Sequence, residues 1–309
     1  MENKIMTAVQ EILNERGEDV KIELCTLKKN NGCNLTGIQF KREGAALAPV
    51  IYINDIMHDI DNGSMTVEDA AKKIVRLYEQ NVPPVTGNNI MDMLKNTDNI
   101  IFQLVNTKQN KELLDEVPHR EYLDLSIIYR SVICINGYGE ISSAIINNSL
   151  AKILGLSEED LFRFAVENTR RLLPPVIYNM SDFIIRQAAE AGVPMDDISE
   201  MIKDFENAPK MYIITNKSHI NGAASMLYEE KLHEIAESLG TDLYIFPSSI
   251  HEVMIISVDG ADTLDHSGMV SEINRTSLSP EERLSNNVYL YDKDLRKVSL
   301  ASDSVVPLV

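Results

Sequence analysis

The spacing of apolar side chains changes along the first 80 residues and predicts a small lobe. Residues 4–15 place apolar side chains at helical spacing, whereas residues 20–25 alternate apolar and polar side chains, as is typical of a strand. Asn30-Asn31-Gly32 supplies the residue types of a tight hairpin turn. The predicted elements, in chain order, are a helix at 4–15, strands at 20–25, 35–40 and 50–53, and a helix that Thr66 caps and that ends near Gln80.

A stretch with prolines and a glycine follows this α-β-β-β-α lobe. Residues 81–88 are NVPPVTGN, and two adjacent prolines with a glycine interrupt both helical and strand patterns. The stretch is predicted to link two domains, a small α+β lobe at 1–82 and a larger lobe at 88–309. A chain of 309 residues is long for one domain, which agrees with this division.

The larger lobe is predicted to contain both strands and helices. Ser157 and Asp160 fit a capping box at the start of its best-marked helix, and Pro174-Pro175 ends that helix. Asn136-Gly137 has the chemistry of a second hairpin turn. The predicted elements are strands at 100–105, 123–135, 141–146 and 288–291, and helices at 109–117, 157–173, 181–191, 196–205, 263–274 and near Pro280.

Residues 210–260 form the unit around which the larger lobe is predicted to be organised. Strands at 211–215 and 243–245 flank a helical stretch, and a further apolar run follows them. Two apolar rows in the helical stretch are about half a turn out of phase, so either two helices meet near Tyr228-Glu229 or the first turns pack on the opposite side. The two strands are expected to be parallel neighbours joined by a right-handed crossover. The predicted fold class is α+β, with a mixed sheet and a β-α-β-β unit in the larger lobe.

The chain is strongly acidic, with 29 basic and 47 acidic residues and a net charge of −18. Binding to a nucleic-acid backbone needs clustered lysine and arginine, so direct nucleic-acid binding is not expected. An acidic mimic of nucleic acid is an alternative function. The acidic residues come singly or in short groups among apolar residues, however, and this distribution favours an ordinary solvated surface.

Cysteine usage and hydropathy point to one compartment. Cys25, Cys33 and Cys134 are scattered and form no CxxC pair, which is typical of reduced thiols in the cytosol. No apolar run reaches the ~18 residues that span a bilayer, and the N-terminal residues lack the basic-then-apolar order of a signal peptide. We therefore expect a cytoplasmic protein that does not associate with a membrane.

Three segments of the chain resemble one family of proteins. They are NKSHINGAASMLYEEKLHEIAESLGTDLYIFPSSIHEVMII at 216–256, HREYLDLSIIYR at 119–130 and SLSPEERLSNNVYLYD at 277–292, and PSSIHE at 247–252 is the most specific part. The family is a domain of unknown function from Gram-positive gut anaerobes, often encoded near integrative and conjugative elements. The resemblance covers nearly the whole chain. It implies a shared fold and a mobile-element neighbourhood, and it implies no catalytic residue.

Polar side chains follow the two expected parallel strands, whose carboxyl ends would meet at one edge of the sheet. Open α/β sheets bind ligands at such edges, and a lysine beside unpaired helix N–H groups favours a small anion. The same residue types are also ordinary loop and capping residues, and no glycine-rich phosphate loop accompanies them. The candidate ligand-binding residues are Asn216, Lys217, Ser218, His219, Ser248, Ser249 and His251.

Ser249 and His251 also suggest a hydrolase, because residues two apart on an extended chain share a face. The adjacent Glu252 would point away from that imidazole, so an acid from elsewhere in the chain would have to orient it. No G-x-S-x-G elbow is present. A structured hairpin tip explains the same two residues without any catalysis.

The metal-binding patterns in the sequence are incomplete. His233-Glu234 lacks the second histidine of H-E-x-x-H, and Gly63 comes one residue early for a calcium loop that begins at Asp59. The sequence therefore predicts no metal and no cofactor. The predicted function is a non-catalytic binding or regulatory module for a protein partner or a small ligand. A small-anion-binding enzyme or hydrolase centred on Ser249 and His251 is the alternative.

Overall fold

The computed structural model describes residues 1–43, 48–80, 90–135, 141–206, 210–260 and 266–301. By internal contacts the chain divides into two compact units, Met1–Asn96 and Thr97–Val309. The predicted linker at 81–88 and the predicted turn at Asn136-Gly137 lie outside the described residues and stay predictions. Over the described ranges, no helix combines the length and the apolar character needed to cross a lipid bilayer.

The first unit has the predicted α-β-β-β-α order with additional helices. Its three strands form one antiparallel sheet in the order β1-β2-β3. The hairpin turn between the first two strands has positive φ at Asn31 and Gly32, which confirms the predicted turn chemistry. The elements are α1 (Glu2–Glu15), β1 (Val20–Lys28), β2 (Asn34–Arg42), β3 (Val50–Tyr52), α2 (Asn54–Asp61), α3 (Val67–Gln80) and α4 (Ile90–Lys95).

The core of the first unit forms between its helices and one face of its sheet. Ile5, Val9 and Leu13 lie one turn apart on α1 and are fully buried, which is the expected consequence of their helical spacing. The ring of Phe40 on β2 stacks on that of Tyr78 on α3 with centroids 4.1 Å apart. The residues considered above as an incomplete calcium loop are the end of α2 and the turn that follows it at Asn62-Gly63.

The second unit contains ten strands and seven α-helices among its described residues. They are β4 (Ile100–Asn106), α5 (Lys111–Glu116), β5 (His119–Tyr122), β6 (Leu125–Ile135), β7 (Ile141–Ile145), α6 (Asn148–Leu154), α7 (Glu158–Leu172), β8 (Pro175–Asn179), α8 (Met180–Glu190), α9 (Met195–Glu206), β9 (Met211–Asn216), α10 (Glu229–Leu239), β10 (Leu243–Phe246), β11 (Val253–Ser257), α11 (His266–Ser277), β12 (Tyr289–Asp292) and β13 (Lys297–Leu300).

Local sequence signals in this unit are confirmed where a few residues decide the structure. Ser157 Oγ accepts a hydrogen bond from the N–H of Asp160, and the Asp160 carboxylate accepts one from the N–H of Ser157, so the predicted capping box is formed. The single strand predicted at 123–135 is wrong at its start. Leu123 has a φ of 58°, and the chain turns there between β5 and β6.

The strands of the second unit form two sheets, and every pairing between described strands is antiparallel. One sheet has the order β4-β6-β5, with β7 also paired to β6, and the other has the order β13-β12-β10-β11-β9-β8. The α+β class and the β-α-β-β unit are confirmed, but the mixed sheet is wrong. A short connection returns the chain from β10 into β11, which then pairs with β9, so β11 lies between the two strands that were expected to be neighbours.

One large hydrophobic core combines side chains from both sheets with side chains from α7 and α10. Period-two alternation places these residues on the covered face of each strand. Representative members are Phe102, Tyr129, Leu161, Ile214, Leu232, Ile245 and Ile255. This core holds the six-stranded sheet rigidly, so the loops at its edge begin from fixed positions.

Candidate functional site

Two loops meet at the edge of the six-stranded sheet where β9 and β10 end. Because each of these strands is antiparallel to β11, they are parallel to one another and their carboxyl ends lie at the same edge. The hydroxyl of Thr215 donates to the carbonyl oxygen of His251 at 2.8 Å, and the N–H of Ala223 donates to that of Ile250 at 3.2 Å. The predicted juxtaposition of the two loops is present, although β11 separates the strands.

The first loop, residues 216–221, is held in one conformation by its own first side chain. Asn216 is buried; its amide donates to the carbonyl of Ile220 at 2.8 Å, and its side-chain oxygen accepts from the N–H of Ser218 at 2.9 Å. His219 and Asn221 both have a φ of 53°, in the left-handed region that non-glycine residues seldom adopt. Asn216 therefore has a structural function, and the loop stores backbone strain.

Lys217 and His219 are the exposed members of this loop, whereas Ser218 is partly buried. The imidazole of His219 stacks on the ring of Tyr178 in β8, with centroids 5.8 Å apart and an angle of 12° between the rings. The stacking fixes the orientation of an exposed aromatic ring. The first loop thus presents a cation and a positioned imidazole to solvent.

Gly222 allows the two loops to approach each other. A Cβ at this position would overlap Thr215 Oγ1 and the carbonyl oxygen of His251, and it would lie only 2.9 Å from the backbone nitrogen of Asn216. Two of these three atoms belong to the backbone and cannot rotate away. The close contact between the loops therefore requires glycine here.

The second loop, residues 247–252, is paired with the segment that precedes β12. The N–H of Ile250 donates to the carbonyl of Glu282 at 2.8 Å, and the N–H of Leu284 donates to that of Ser248 at 2.7 Å. The hydroxyl of Ser249 accepts from the N–H of His251 at 3.0 Å, which is a local serine turn. Ser248 and Ser249 are both buried, so neither side chain stands freely at the edge.

The imidazole of His251 lies between a backbone N–H group and a carboxylate, and of these only the carboxylate is a group that the hydrolase hypothesis requires. Its Nδ1 accepts a hydrogen bond from the N–H of Asn221 at 3.3 Å, and its Nε2 lies 3.7 Å from a carboxylate oxygen of Glu282. Across the described parts of the chain, no hydrogen bond joins the Ser249 hydroxyl to this imidazole. An acid from elsewhere in the chain does reach His251, but the serine hydroxyl is engaged with the backbone.

The helical stretch after the first loop consists of two pieces, which confirms the first of the two sequence-based interpretations. A 3₁₀ segment at Gly222–Leu227 ends at Tyr228, and α10 begins at the next residue. The N–H groups of Ala223 and Ala224 donate to the carbonyls of Ile250 and Asn221. The N–H groups that were expected to face a small anion are thus used within the protein.

A buried polar cluster adjoins the second loop, and no motif in the sequence predicts it. Asp124, in the turn between β5 and β6, accepts hydrogen bonds from the Ser285 hydroxyl at 2.7 Å and the Asn287 amide at 2.9 Å. Its other oxygen accepts from the Tyr289 hydroxyl at 2.5 Å. Three donors on a single carboxylate tie the segment before β12 to the four-stranded sheet.

The three segments that carry the family resemblance meet at this cluster. Asp124 comes from the first of them, residues 119–130, and Ser285 from the last, residues 277–292. The N–H of Ser285 donates to the carbonyl of Pro247 at 2.9 Å, which brings in the central segment. A signal was present in the sequence, since the polar Asn287 directly precedes the apolar run at 288–291, but its partner Asp124 lies 163 positions earlier.

The tyrosines of this region make the stability of the second unit sensitive to alkaline pH. Burial raises the pKa of Tyr122 to about 12. The pKa of Tyr289 is also raised well above its usual value, first by burial and then by the negative charge of Asp124. An ionised hydroxyl is therefore disfavoured in the folded protein relative to the unfolded chain.

The free energy of unfolding is expected to fall at alkaline pH because the hydroxyl of Tyr122 ionises. A raised pKa means that its stabilising contribution is complete below the unfolded value near 10 and is lost as the pH rises through about 12. From about pH 9 to about pH 11, the free energy of unfolding should fall by about 1 kcal/mol more in the native protein than in a Tyr122→Phe variant. Urea denaturation followed by circular dichroism measures the difference, and equal losses in the two proteins would contradict the prediction.

The described residues contain no group of three or more His, Cys, Asp or Glu side chains arranged to hold a metal ion. The site is thus an edge of two interlocked loops, with Lys217 and His219 exposed and the remaining candidate residues partly or fully buried. The chain is thus an α+β protein with antiparallel sheets, and the loop at residues 216–221 lies at one end of its six-stranded sheet.

Comparison with known protein families identifies the family of this chain. The chain belongs to the family of unknown function DUF5688, whose model matches residues 2–293, so the predicted membership of an uncharacterised domain family is confirmed. No curated protein matches the chain. No solved structure matches it either.

Proposed function

We propose that this chain is a non-catalytic binding module whose recognition surface is the loop at residues 216–221. The observation that carries the proposal is the constrained backbone of this loop: two non-glycine residues have positive φ, and hydrogen bonds from Asn216 and to His251 hold the loop. Such strain persists only where surrounding structure imposes it, and it is concentrated at ligand clamps and other functional sites. A loop already fixed in its binding conformation loses little entropy when a partner binds.

The chemistry of the loop indicates what the partner supplies. Lys217 provides an exposed ammonium group, and His219 provides an imidazole whose face is covered by Tyr178 and whose edge is open. Both side chains donate hydrogen bonds to acidic groups. In a chain of net charge −18, this loop is a local site of opposite character, and an acidic group on a protein or small ligand fits it.

The hydrogen bonds of Ser249 and His251 support binding over hydrolysis. The Ser249 hydroxyl accepts from the N–H of His251 within the second loop, and His251 Nδ1 accepts from the N–H of Asn221, which joins the two loops. A serine activated for catalysis would also donate its hydroxyl hydrogen to a base, and among the described residues no such hydrogen bond joins Ser249 to His251. Labelling of Ser249 by a fluorophosphonate probe would contradict the non-catalytic proposal.

The arrangement of acidic side chains supports a solvated surface over mimicry of nucleic acid. Arg120 forms ion pairs with Glu158 and Glu159, and Arg170 forms one with Glu230. Carboxylates that are paired with arginine within the chain present less negative charge to a partner's phosphate-binding groove.

The biological setting is proposed from the family resemblance alone. We infer a cytoplasmic protein of a bacterial host in which binding supports a mobile genetic element. Purification of the full chain from such a host, followed by mass spectrometry, would identify the partner. Association with proteins unrelated to any mobile element would contradict this part of the proposal.

The recognition surface predicts a defined loss of binding. The double variant Lys217→Ala, His219→Ala should lose roughly tenfold or more in affinity for the captured partner, because two charge-assisted contacts are removed. Lys152→Ala is the matched control, since Lys152 is an exposed lysine on α6 of the same unit. Titration calorimetry with the purified partner measures the change. Equal affinities of the double variant and the control would show that the partner binds elsewhere.

A further inference from the structure

The four-stranded sheet carries an arginine on the face that points away from the large core. Arg130 on β6 lies on the same face as its cross-strand neighbours Ile101 and Ile145. Two small apolar clusters occupy this face on either side of it. One contains Val105, Leu114, Val117 and Ile128, and the other contains Ile101, Val132 and Leu173.

The guanidinium of Arg130 is held by three neutral acceptors from the two adjacent strands. Nε donates to the hydroxyl of Ser143 at 2.8 Å and Nη2 to the Ser143 carbonyl at 2.9 Å, while Nη1 donates to the amide oxygen of Gln103 at 3.2 Å. A guanidinium has five N–H donors, so one on Nη1 and one on Nη2 remain. The three hydrogen bonds fix the plane and position of the group.

No carboxylate of the described residues forms an ion pair with Arg130, which donates its hydrogen bonds to Ser143 and Gln103. By contrast, Arg120 and Arg170 of the same unit both have carboxylate partners. Burial lowers the pKa of Arg130 to about 10, so the group is still charged at neutral pH. Among the described residues, a partly buried positive charge is thus left without a counter-charge, and a bound anion would offset the cost of its burial.

We propose that Arg130, positioned by Ser143 and Gln103, binds the carboxylate of a small monocarboxylic acid with an apolar body. The two remaining N–H donors belong to different terminal nitrogens, and such a planar pair matches the two oxygens of a carboxylate. One carboxylate neutralises one guanidinium. A phosphate dianion would leave an excess negative charge beside the apolar clusters. Ile145, the cross-strand neighbour of Arg130, and Leu113, which packs on the cluster of Ile128, are partly exposed and supply apolar contacts for the body of the acid. This site is separate from the loop at residues 216–221.

Thermal unfolding of the full chain with matched small molecules tests the proposal. Benzoate is the probe, and benzamide is its neutral isostere with the same apolar ring. Benzoate should raise the melting temperature in a saturable manner, whereas benzamide should not, because only the carboxylate neutralises the charge of Arg130. Absence of a saturable effect of both benzoate and butyrate would overturn the proposal. Inorganic phosphate acting as strongly as benzoate would overturn the choice of a monocarboxylate.

Variants of Arg130 locate the effect. Arg130→Met keeps the length of the side chain and removes a buried charge, so the variant should fold, and it should bind benzoate at least roughly tenfold more weakly. Arg275→Met on α11 is the control, because that guanidinium is exposed and its removal should leave benzoate binding unchanged. A benzoate response in Arg130→Met that equals the response of the native protein would overturn the assignment to this residue.

Discussion

Replacing Gly222 with alanine is expected to destabilise the second unit by about 3 kcal/mol. The new methyl group would overlap Thr215 Oγ1 and the carbonyl oxygen of His251, and it would crowd the backbone nitrogen of Asn216. Relief of the overlap requires the two loops to separate, which breaks the hydrogen bond from Thr215 to His251. The free energy of unfolding, measured by urea denaturation, gives the size of the effect.

Gly240→Ala is the matched control for this substitution. Gly240 ends α10 with a φ of +73°, and nothing lies within 4 Å of the position that a Cβ would occupy. Alanine there meets only the conformational penalty of the left-handed region, about 1 kcal/mol. A second test combines Gly222→Ala with Thr215→Ala. The added substitution should restore little of the lost stability, because the carbonyl of His251 still blocks the methyl group. Similar losses for the two glycine substitutions would contradict the steric explanation.

Replacing Asp124 with alanine is expected to cost about 3 kcal/mol of stability. Its carboxylate accepts hydrogen bonds from Ser285, Asn287 and Tyr289, and all three donors are buried. Removal of the common acceptor leaves these groups without it in an environment that water reaches poorly, and the penalty of an unsatisfied buried donor is about 1–3 kcal/mol. Urea denaturation at neutral pH measures the loss.

Two further variants separate the network from the general effect of removing an acid. Glu121→Ala removes an exposed carboxylate three positions earlier and should change stability by less than about 0.5 kcal/mol. Asp124→Asn keeps one acceptor oxygen but turns an N–H group toward a donor. Its loss of stability should therefore lie between those of Asp124→Ala and Glu121→Ala. If Asp124→Ala and Glu121→Ala were equally stable, the hydrogen bonds of the cluster would not contribute to folding.

The sequence predicted structure well where neighbouring residues decide it. The capping box at Ser157 depends on side chains three positions apart, and the break near Tyr228 follows from the phase of apolar residues within one helical stretch. The strand β8 was missed because Pro175 was interpreted only as a helix terminator. Proline is compatible with the first residue of an edge strand, and β8 pairs only with β9 among the described strands.

The order of strands was the part that periodicity could not supply. Alternation with a period of two identifies the covered face of a strand but not its neighbour, so it could not show that β11 lies between β9 and β10. The expected position of the candidate loop required only that β9 and β10 run in the same direction, and it did not require them to be neighbours. The loop therefore lies at the expected edge of the sheet although β11 separates the two strands. Glu282 contacts His251, and Asp124 contacts Ser285, although the two members of each pair are far apart in the sequence. No local pattern predicts such pairs.

The position of β11 has a consequence for the protein while it is being made. The ribosome delivers β9 well before β11, and until then β9 has a neighbour only on the side of β8. Its other edge, apolar and with unpaired backbone groups, resembles the exposed edges that promote intermolecular pairing. Nascent chains that pause between the two strands would therefore depend on chaperones, and the open edge of β9 can be paired only after Ser257 has left the exit tunnel.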